Sequence, residues 1–345
     1  MHTSSFPPSV PLGVGTMLWG NTLVDRFVNG RVVDADTLRE IVAVASSAGV
    51  TFYDTAEGYG GGTSETRLKN AVTAAGEVPS ALCLSSKFLP TLWRWSEKSF
   101  LSSLDESNKR LGIPCSPLFF IHSPIHPLGL KHWVRAAGAA YRQGKLRALG
   151  LSNCNAKQVC EAVDEAKKSG VPIVANQILF NLLVSNSPAV RETLEACRFH
   201  GITVVAYSPL GQGLLADKLD EKKAAEIRMS RVTNLRFSDL VGLRRVMEDI
   251  STAHGKPMSQ VAMNYVRAKG AVPLVGVRTV FQMREALDAL SWSLAPDEVQ
   301  ALDRAALDRH TFERGPIRRA LFLTLITGLV TVSRMSAWLF GLVGP

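Results

Sequence analysis

Short runs of apolar and β-branched residues alternate along the chain with longer stretches whose apolar positions recur every three or four residues. The short runs predict strands over residues 11–16, 49–54, 81–86, 118–121, 146–151, 173–177, 202–207 and 272–275. Between them, residues 35–47, 65–74, 97–111, 129–142, 156–168 and 188–199 carry the pattern of amphipathic helices. Eight strands, with helices following in turn, fit an α/β fold of the (β/α)8 TIM-barrel type. The competing architecture, an open doubly wound sheet, calls for a Gly-rich phosphate loop after a strand. Gly58 to Gly62 lacks the spacing, and Gly211-Gln212-Gly213 lacks the third glycine.

Composition changes this picture little. At 345 residues the chain is long enough for one large barrel, and 46% hydrophobic with 20% charged residues is the balance of a globular enzyme. Cys83, Cys115, Cys154, Cys160 and Cys197 have neither metal-ligand nor disulfide-framework spacing, which predicts no metal site and a reducing compartment. The formal charge of +9 suits nucleic acid, a membrane surface or a phosphorylated cofactor alike; the basic residues are scattered and no nucleic-acid-binding signature accompanies them, so no nucleic-acid partner is expected.

In a barrel, the residues just past each strand share one mouth. Asp54 and Tyr59 follow the second strand in FYDTAEGYGGG, Lys87 follows the third in LSSKF, and His122 ends the fourth in FFIHSP. A tyrosine titrates near pKa ~10, and a neighbouring ammonium lowers that value by stabilising the phenolate. Lys87 can supply the ammonium, Asp54 can keep Lys87 charged, and His122 adds a second hydrogen-bonding group beside the phenol. The set suits carbonyl reduction, with Tyr59 protonating the developing alkoxide while a hydride arrives from elsewhere.

The same residues carry a resemblance. FYDTAEGYGGGTSE, SSKF, FFIHSP, ALGLSNCN, VANQILFN, VVAYSPLGQGLL and VPLVGVRTVFQMREAL follow, in order, the pattern of the aldo-keto reductases from about Leu12 to about Leu307. GVGTMLWGNTL, TLWRWS and ALSWSLAPDEV are most similar to the branch typical of plant and algal plastids. The resemblance implies a TIM barrel, a catalytic tetrad of Asp54, Tyr59, Lys87 and His122, and NADPH as cofactor, with small aldehydes or ketones as substrates. It also implies that Ser152, Asn153 and Gln177 hold the carboxamide, Tyr207 stacks on the nicotinamide, and the loop containing Ser208, Leu210 and Gly211 covers the pyrophosphate. Gly276, Arg278, Gln282 and Glu285 match the adenosine-binding positions, with Arg278 suited to the 2′-phosphate. Ala286 stands where many members have asparagine, and one adenine hydrogen bond is in doubt there. Taken without the family, Ser152 and Asn153 read equally as a helix N-cap and Gln177 as a strand-end polar residue; Trp19, Trp93 and Trp95 read equally as mouth or core, and His126, His132 and His200 as surface residues.

The family also contains channel-associated subunits, so a redox-sensing or regulatory NADP(H)-binding subunit with little turnover stands as the alternative to an enzyme. Residues 1–10 are too short and too poor in arginine for a transit peptide, leaving plastid and cytoplasm both open. The expected division is a barrel domain over residues 1–316 and a hydrophobic tail over 317–345. The uncharged stretch 320–333 is shorter, at about 1.5 Å per residue, than the ~30 Å apolar core of a bilayer. Extending it takes in Arg334, at a cost of about 2.5–3.5 kcal/mol near the centre. The tail therefore reads first as a membrane-associated helix, against a helix packed on the barrel or on a hydrophobic partner.

Overall fold

The structure, a computed structural model, describes residues 11–22, 32–217, 219, 222 and 236–307. Eight parallel strands close into a barrel in sequence order: β1 (Gly13–Gly15), β2 (Phe52–Asp54), β3 (Cys83–Phe88), β4 (Leu118–Ile121), β5 (Leu149–Ser152), β6 (Ile173–Leu179), β7 (Thr203–Tyr207) and β8 (Val272–Gly276). Pairing of Val14 with Val275 and of Gly15 with Gly276 closes the ring. The predicted TIM barrel is the fold observed.

Helices α1 (Ala35–Ser47), α2 (Thr63–Ala74), α3 (Glu97–Leu111), α4 (Gly129–Arg142), α5 (Ala156–Ser169) and α6 (Pro188–Phe199) match the six amphipathic stretches. Each turns an apolar stripe inward; on α4, Leu130, Trp133, Val134 and Ala137 are buried, with Trp133 against Phe88 of β3 at 4.8 Å between ring centroids. Among the described residues four further helices follow β7 and β8: α7 (Phe237–His254), α8 (Met258–Ala268), α9 (Val280–Asp288) and α10 (Pro296–Ala305). A cluster contributed largely by the strands themselves contains Phe52, Phe120, Val205 and Leu274. Glycines make room for its rings: a Cβ on Gly150 would lie 2.3 Å from Phe120, and one on Gly13 would lie 2.4 Å from Phe52.

Several strand bounds shift, and Lys87, expected just past the third strand, lies within β3. The fifth strand begins at Leu149 rather than 146, because Leu146 makes an isolated bridge to Ser116 and the register with β6 shifts at Leu149 and Gly150. Trp19 is core: it is fully buried and its indole N–H donates to the Val277 carbonyl at 2.8 Å. No described helix is long and apolar enough to cross a membrane. The hydrophobic tail 317–345, and the boundary at 316, lie outside the described residues.

Candidate active site

The C-terminal ends of β2, β3 and β4 bring four sequence-predicted residues together. Lys87, fully buried in β3, donates from Nζ to Asp54 Oδ2, to the Thr55 carbonyl at 2.7 Å and to the Tyr59 hydroxyl at 3.4 Å. The ammonium also lies 4.8 Å from the centre of the Tyr59 ring. His122, one residue past β4, meets that ring edge-on at 5.9 Å, and its backbone N–H is fixed by the Phe88 carbonyl at 2.8 Å. The other Asp54 oxygen accepts from Ser85 Oγ at 2.9 Å and from Gln177 Nε2 at 3.0 Å. Both Asp54 oxygens thereby accept hydrogen bonds at the centre of the group.

Electrostatics correct one expectation. Burial pushes the Tyr59 phenol above its ordinary value, against the opposing pull of Lys87, so the net direction is up and not down. Burial also works to discharge Lys87, but the Asp54 carboxylate and the Tyr59 phenol outweigh it and raise the lysine. Burial, then repulsion from Lys87, takes His122 down to about 3. At neutral pH the arrangement therefore offers a protonated phenol, a charged ammonium and a neutral imidazole. Among the described residues the buried His122 Nδ1 has no hydrogen-bond partner.

The expected cofactor residues lie at the ends of β5 to β8. Ser152 ends β5, and Asn153 follows at φ 59°. The N-cap reading of this pair fails, because α5 is capped by Asn155 in a capping box with Gln158. Asn153 instead donates to Ser152 Oγ at 3.1 Å and to the His122 carbonyl at 3.2 Å, and accepts from the Tyr207 hydroxyl at 3.0 Å. After β7 the chain turns through Ser208 at φ 52°, Gly211 at φ 54° and Gln212 at φ 62°, anchored by Asn181 Nδ2 on the Ser208 carbonyl at 2.8 Å. A side chain at Gly211 would strike Leu183 at 2.6 Å. Leu210 packs half-buried against the core.

Beyond Gly276, which ends β8, Thr279 caps α9 by accepting from the Gln282 N–H at 3.2 Å. Gln282 Oε1 accepts from the Arg278 N–H at 2.8 Å, and Glu285 accepts from Ser259 Oγ. Arg278 and Thr279 share a hollow of about 220 Å³ with Asp34 and Thr37. Hydrogen bonds from Thr37 hold the Asp34 carboxyl below its usual range, so that hollow contains a carboxylate as well as a guanidinium.

The sequence profile of the aldo/keto reductase family matches residues 11–307. The chain belongs to the aldo-keto reductase family. It is 30% identical over 306 residues to the chloroplastic pyridoxal reductase of Arabidopsis thaliana, covering 86% of this chain and 83% of that one, in keeping with the plastid-type branch. It is 26% identical over 280 residues to the NADP(+) aldo-keto reductase yakc of Schizosaccharomyces pombe, covering 77% of this chain and 81% of the relative. Among solved structures, the thermostable aldo-keto reductase Tm1743, in complex with the inhibitor epalrestat, superposes with a TM-score of 0.68 at 28% identity, over 86% of this chain and 95% of that one. This aldo-keto reductase is an NADP-dependent oxidoreductase. Its residues fit that cofactor: amide and hydroxyl groups for a carboxamide cluster at β5 and β6, an aromatic ring ends β7, and a guanidinium precedes a helix N-terminus.

Some neighbours of the site escape sequence reasoning. Glu57, between Asp54 and Tyr59, is buried and accepts from the Leu89 N–H at 2.8 Å, from Ser103 Oγ at 2.6 Å and from Arg94 through both oxygens. Its partners stand 32, 37 and 46 positions away, and only the alternation of charge in AEGYG and TLWRWS hints at the pair. Of the three histidines expected at the surface, His126 departs from expectation. His126 is buried, with Nε2 on the Thr91 carbonyl at 3.1 Å and Nδ1 accepting from Leu128. His132 is part-buried with its ring edge-on to Trp133, and His200 pairs with the Cys160 thiol at 3.6 Å.

Proposed function

We propose that this aldo-keto reductase reduces the carbonyl of small aldehydes or ketones to an alcohol, with Tyr59 as proton donor. The reading is carried by one observation, Lys87 Nζ bridging the Asp54 carboxylate and the Tyr59 hydroxyl in a fully buried position. NADPH supplies the hydride when bound. Tyr59 holds its proton at neutral pH and gives it up only to a much stronger base, which the oxygen of a carbonyl becomes as its carbon accepts hydride. The Lys87 charge then offsets the negative charge left on the phenol. His122, neutral, can donate one ring N–H to the carbonyl oxygen and orient it.

In the same reading Ser152, Asn153 and the carbonyl oxygen of Gln177 hold the carboxamide, and Tyr207 stacks on the nicotinamide. Ser208, Leu210 and Gly211 cover the pyrophosphate, while Gly276, Arg278, Gln282 and Glu285 take the adenosine half. The test is purified protein with NADPH and a panel of aldehydes and ketones, including the pyridoxal named for the Arabidopsis relative, followed by loss of the reduced nicotinamide absorbance. Reduction of at least one carbonyl class is expected; tight NADPH binding with no turnover across the panel overturns the reading in favour of a sensor. We also read the tail as a membrane-surface helix, on the uncharged run behind Arg318 and Arg319.

A further inference from the structure

Gln177 has a polar neighbour that the reductase site does not use. Successive side chains of a strand point to opposite faces, so where Gln177 reaches Asp54 in the barrel mouth, Asn176 beside it in β6 points out into the layer between barrel and helices. That layer is apolar around it, with Cys154, Val159, Ala162 and Cys197 in one buried cluster. Asn176 is fully buried there, its Nδ2 3.6 Å from the Cys197 thiol of α6, and its Oδ1 has no hydrogen-bond partner among the described residues. A carboxamide in such a layer, with one end unsatisfied, costs the fold free energy that an apolar side chain of similar size does not. It makes one good hydrogen bond: Nδ2 donates to the Cys154 carbonyl at 3.0 Å.

That carbonyl lies where β5 leaves the sheet. Backbone pairing of β5 with β6 runs as far as Ser152 opposite Gln177. Asn153 follows at φ 59°, a left-handed bend that a residue with a side chain keeps only under restraint. On one side the bend is held by its own N–H, which donates to the Gln177 carbonyl at 2.9 Å. On the other side the Cys154 carbonyl is held by Asn176. Adjacent residues of β6 thus grip the bend from before and after, and its side chain meets Ser152 Oγ, the His122 carbonyl and the Tyr207 hydroxyl.

We propose that Asn176 is a positioning residue for the nicotinamide carboxamide, acting from the far face of β6 by fixing the bend at Asn153 through the Cys154 carbonyl. The inference rests on the reading in which Ser152 and Asn153 hold the carboxamide, and it adds to that reading a residue that touches neither cofactor nor substrate. Without the bond the Cys154 carbonyl is buried and unpaired, and the strained bend relaxes towards ordinary backbone. The Asn153 amide then moves away from Ser152 and Tyr207, and the carboxamide loses a partner set in place for it.

The test titrates full-length protein with NADPH and with adenosine 2′,5′-bisphosphate, which has the phosphorylated adenosine half and no nicotinamide. Asn176→Leu, close in size and unable to donate, is expected to weaken NADPH about five- to tenfold and to change the bisphosphate by less than about twofold. Asn153→Ala should give the same split, and in the double variant Asn176→Leu should add less than about twofold, because the residue it positions is already gone. Equal weakening of both ligands by Asn176→Leu, no weakening of either, or an undiminished effect in the Asn153→Ala background overturns the positioning role. A split for Asn153→Ala without one for Asn176→Leu removes that role alone. If Asn153→Ala itself weakens NADPH no more than the bisphosphate, the carboxamide placement falls, and the role of Asn176 with it. Should Asn176→Leu fail to fold, Asn176→Ser, whose hydroxyl stops one bond short of the carbonyl, is read in its place against the same outcomes.

Discussion

Gln177 Nε2 donates to Asp54 Oδ1 across 3.0 Å, joining β6 to β2 through the barrel mouth over 123 positions of sequence. That bond ties a group expected to hold the carboxamide to the carboxylate that keeps Lys87 charged. Gln177→Leu should therefore lower both NADPH affinity and the rate of the chemical step, where loss of a carboxamide contact alone would lower affinity only. A lost hydrogen bond to a buried charged group costs about 1.5–3 kcal/mol. Parallel titrations and single-turnover rates check the coupling.

Tyr59→Phe keeps the ring and removes the proton. The chemical step should fall by about 10²- to 10⁴-fold with NADPH affinity little altered. Lys87→Met should lose activity as well and, unlike the tyrosine variant, should destabilise the fold by about 3–5 kcal/mol, because it strands the buried Asp54 carboxylate. Single-turnover kinetics and denaturant melts separate the two.

His122 gives a pH prediction with a definite sign. Its folded value is about 3 against an ordinary 6.5, so between those values the unfolded chain binds a proton that the folded protein refuses. Its contribution to stability is complete above pH 6.5 and is lost as pH falls through that window towards 3. His122→Gln should flatten the acid side of a plot of stability against pH. The catalytic profile of the unmutated protein should show no limb from this imidazole near neutrality.

Arg278 and Asp34 face the same hollow with opposite charges. Arg278→Ala should weaken NADPH by about 1.5–3 kcal/mol through loss of a charge-assisted phosphate contact and leave NADH nearly unaffected. Asp34→Asn preserves a good helix cap and removes a like charge from the phosphate's surroundings, so it should shift preference further towards NADPH. Paired titrations with both cofactors measure each change; equal response of NADH and NADPH would remove Arg278 from the phosphate site.

Ending the chain at Pro316 should release it from liposomes and leave the barrel folded. Co-sedimentation of full-length and shortened protein, with circular dichroism of each, checks both halves of that statement. Equal co-sedimentation sinks the membrane-surface reading of the tail, and loss of the barrel on shortening favours a packed helix.

Much of the barrel was legible because parallel strands buried on both faces appear as continuous apolar runs, and their helices as one-sided stripes. Helix α8 shows what that signal leaves out. Met258, Val261, Ala262, Tyr265 and Val266 keep helical spacing, but the burial of the polar Ser259, Gln260 and Asn264 beside them depends on the segments packed around the helix and is not written in the pattern. Asp54, Tyr59, Lys87 and His122 were found because strand ends are countable in sequence. The Glu57–Arg94 pair, the burial of His126 and the upward shift of Tyr59 depend on which distant segments close over them, and no local pattern records that.

Asn153, Ser208 and Gln212 are the non-glycine residues with positive φ among the described residues, and all three lie past β5 and β7. Left-handed backbone costs an L-residue roughly 1–2 kcal/mol, so such bends need contacts that hold them, as Asn181 holds the Ser208 carbonyl and Tyr207 the Asn153 side chain. In the reading proposed above, where these residues line the nucleotide, a rim braced in this way leaves less of the binding energy to be diverted into freezing a loop.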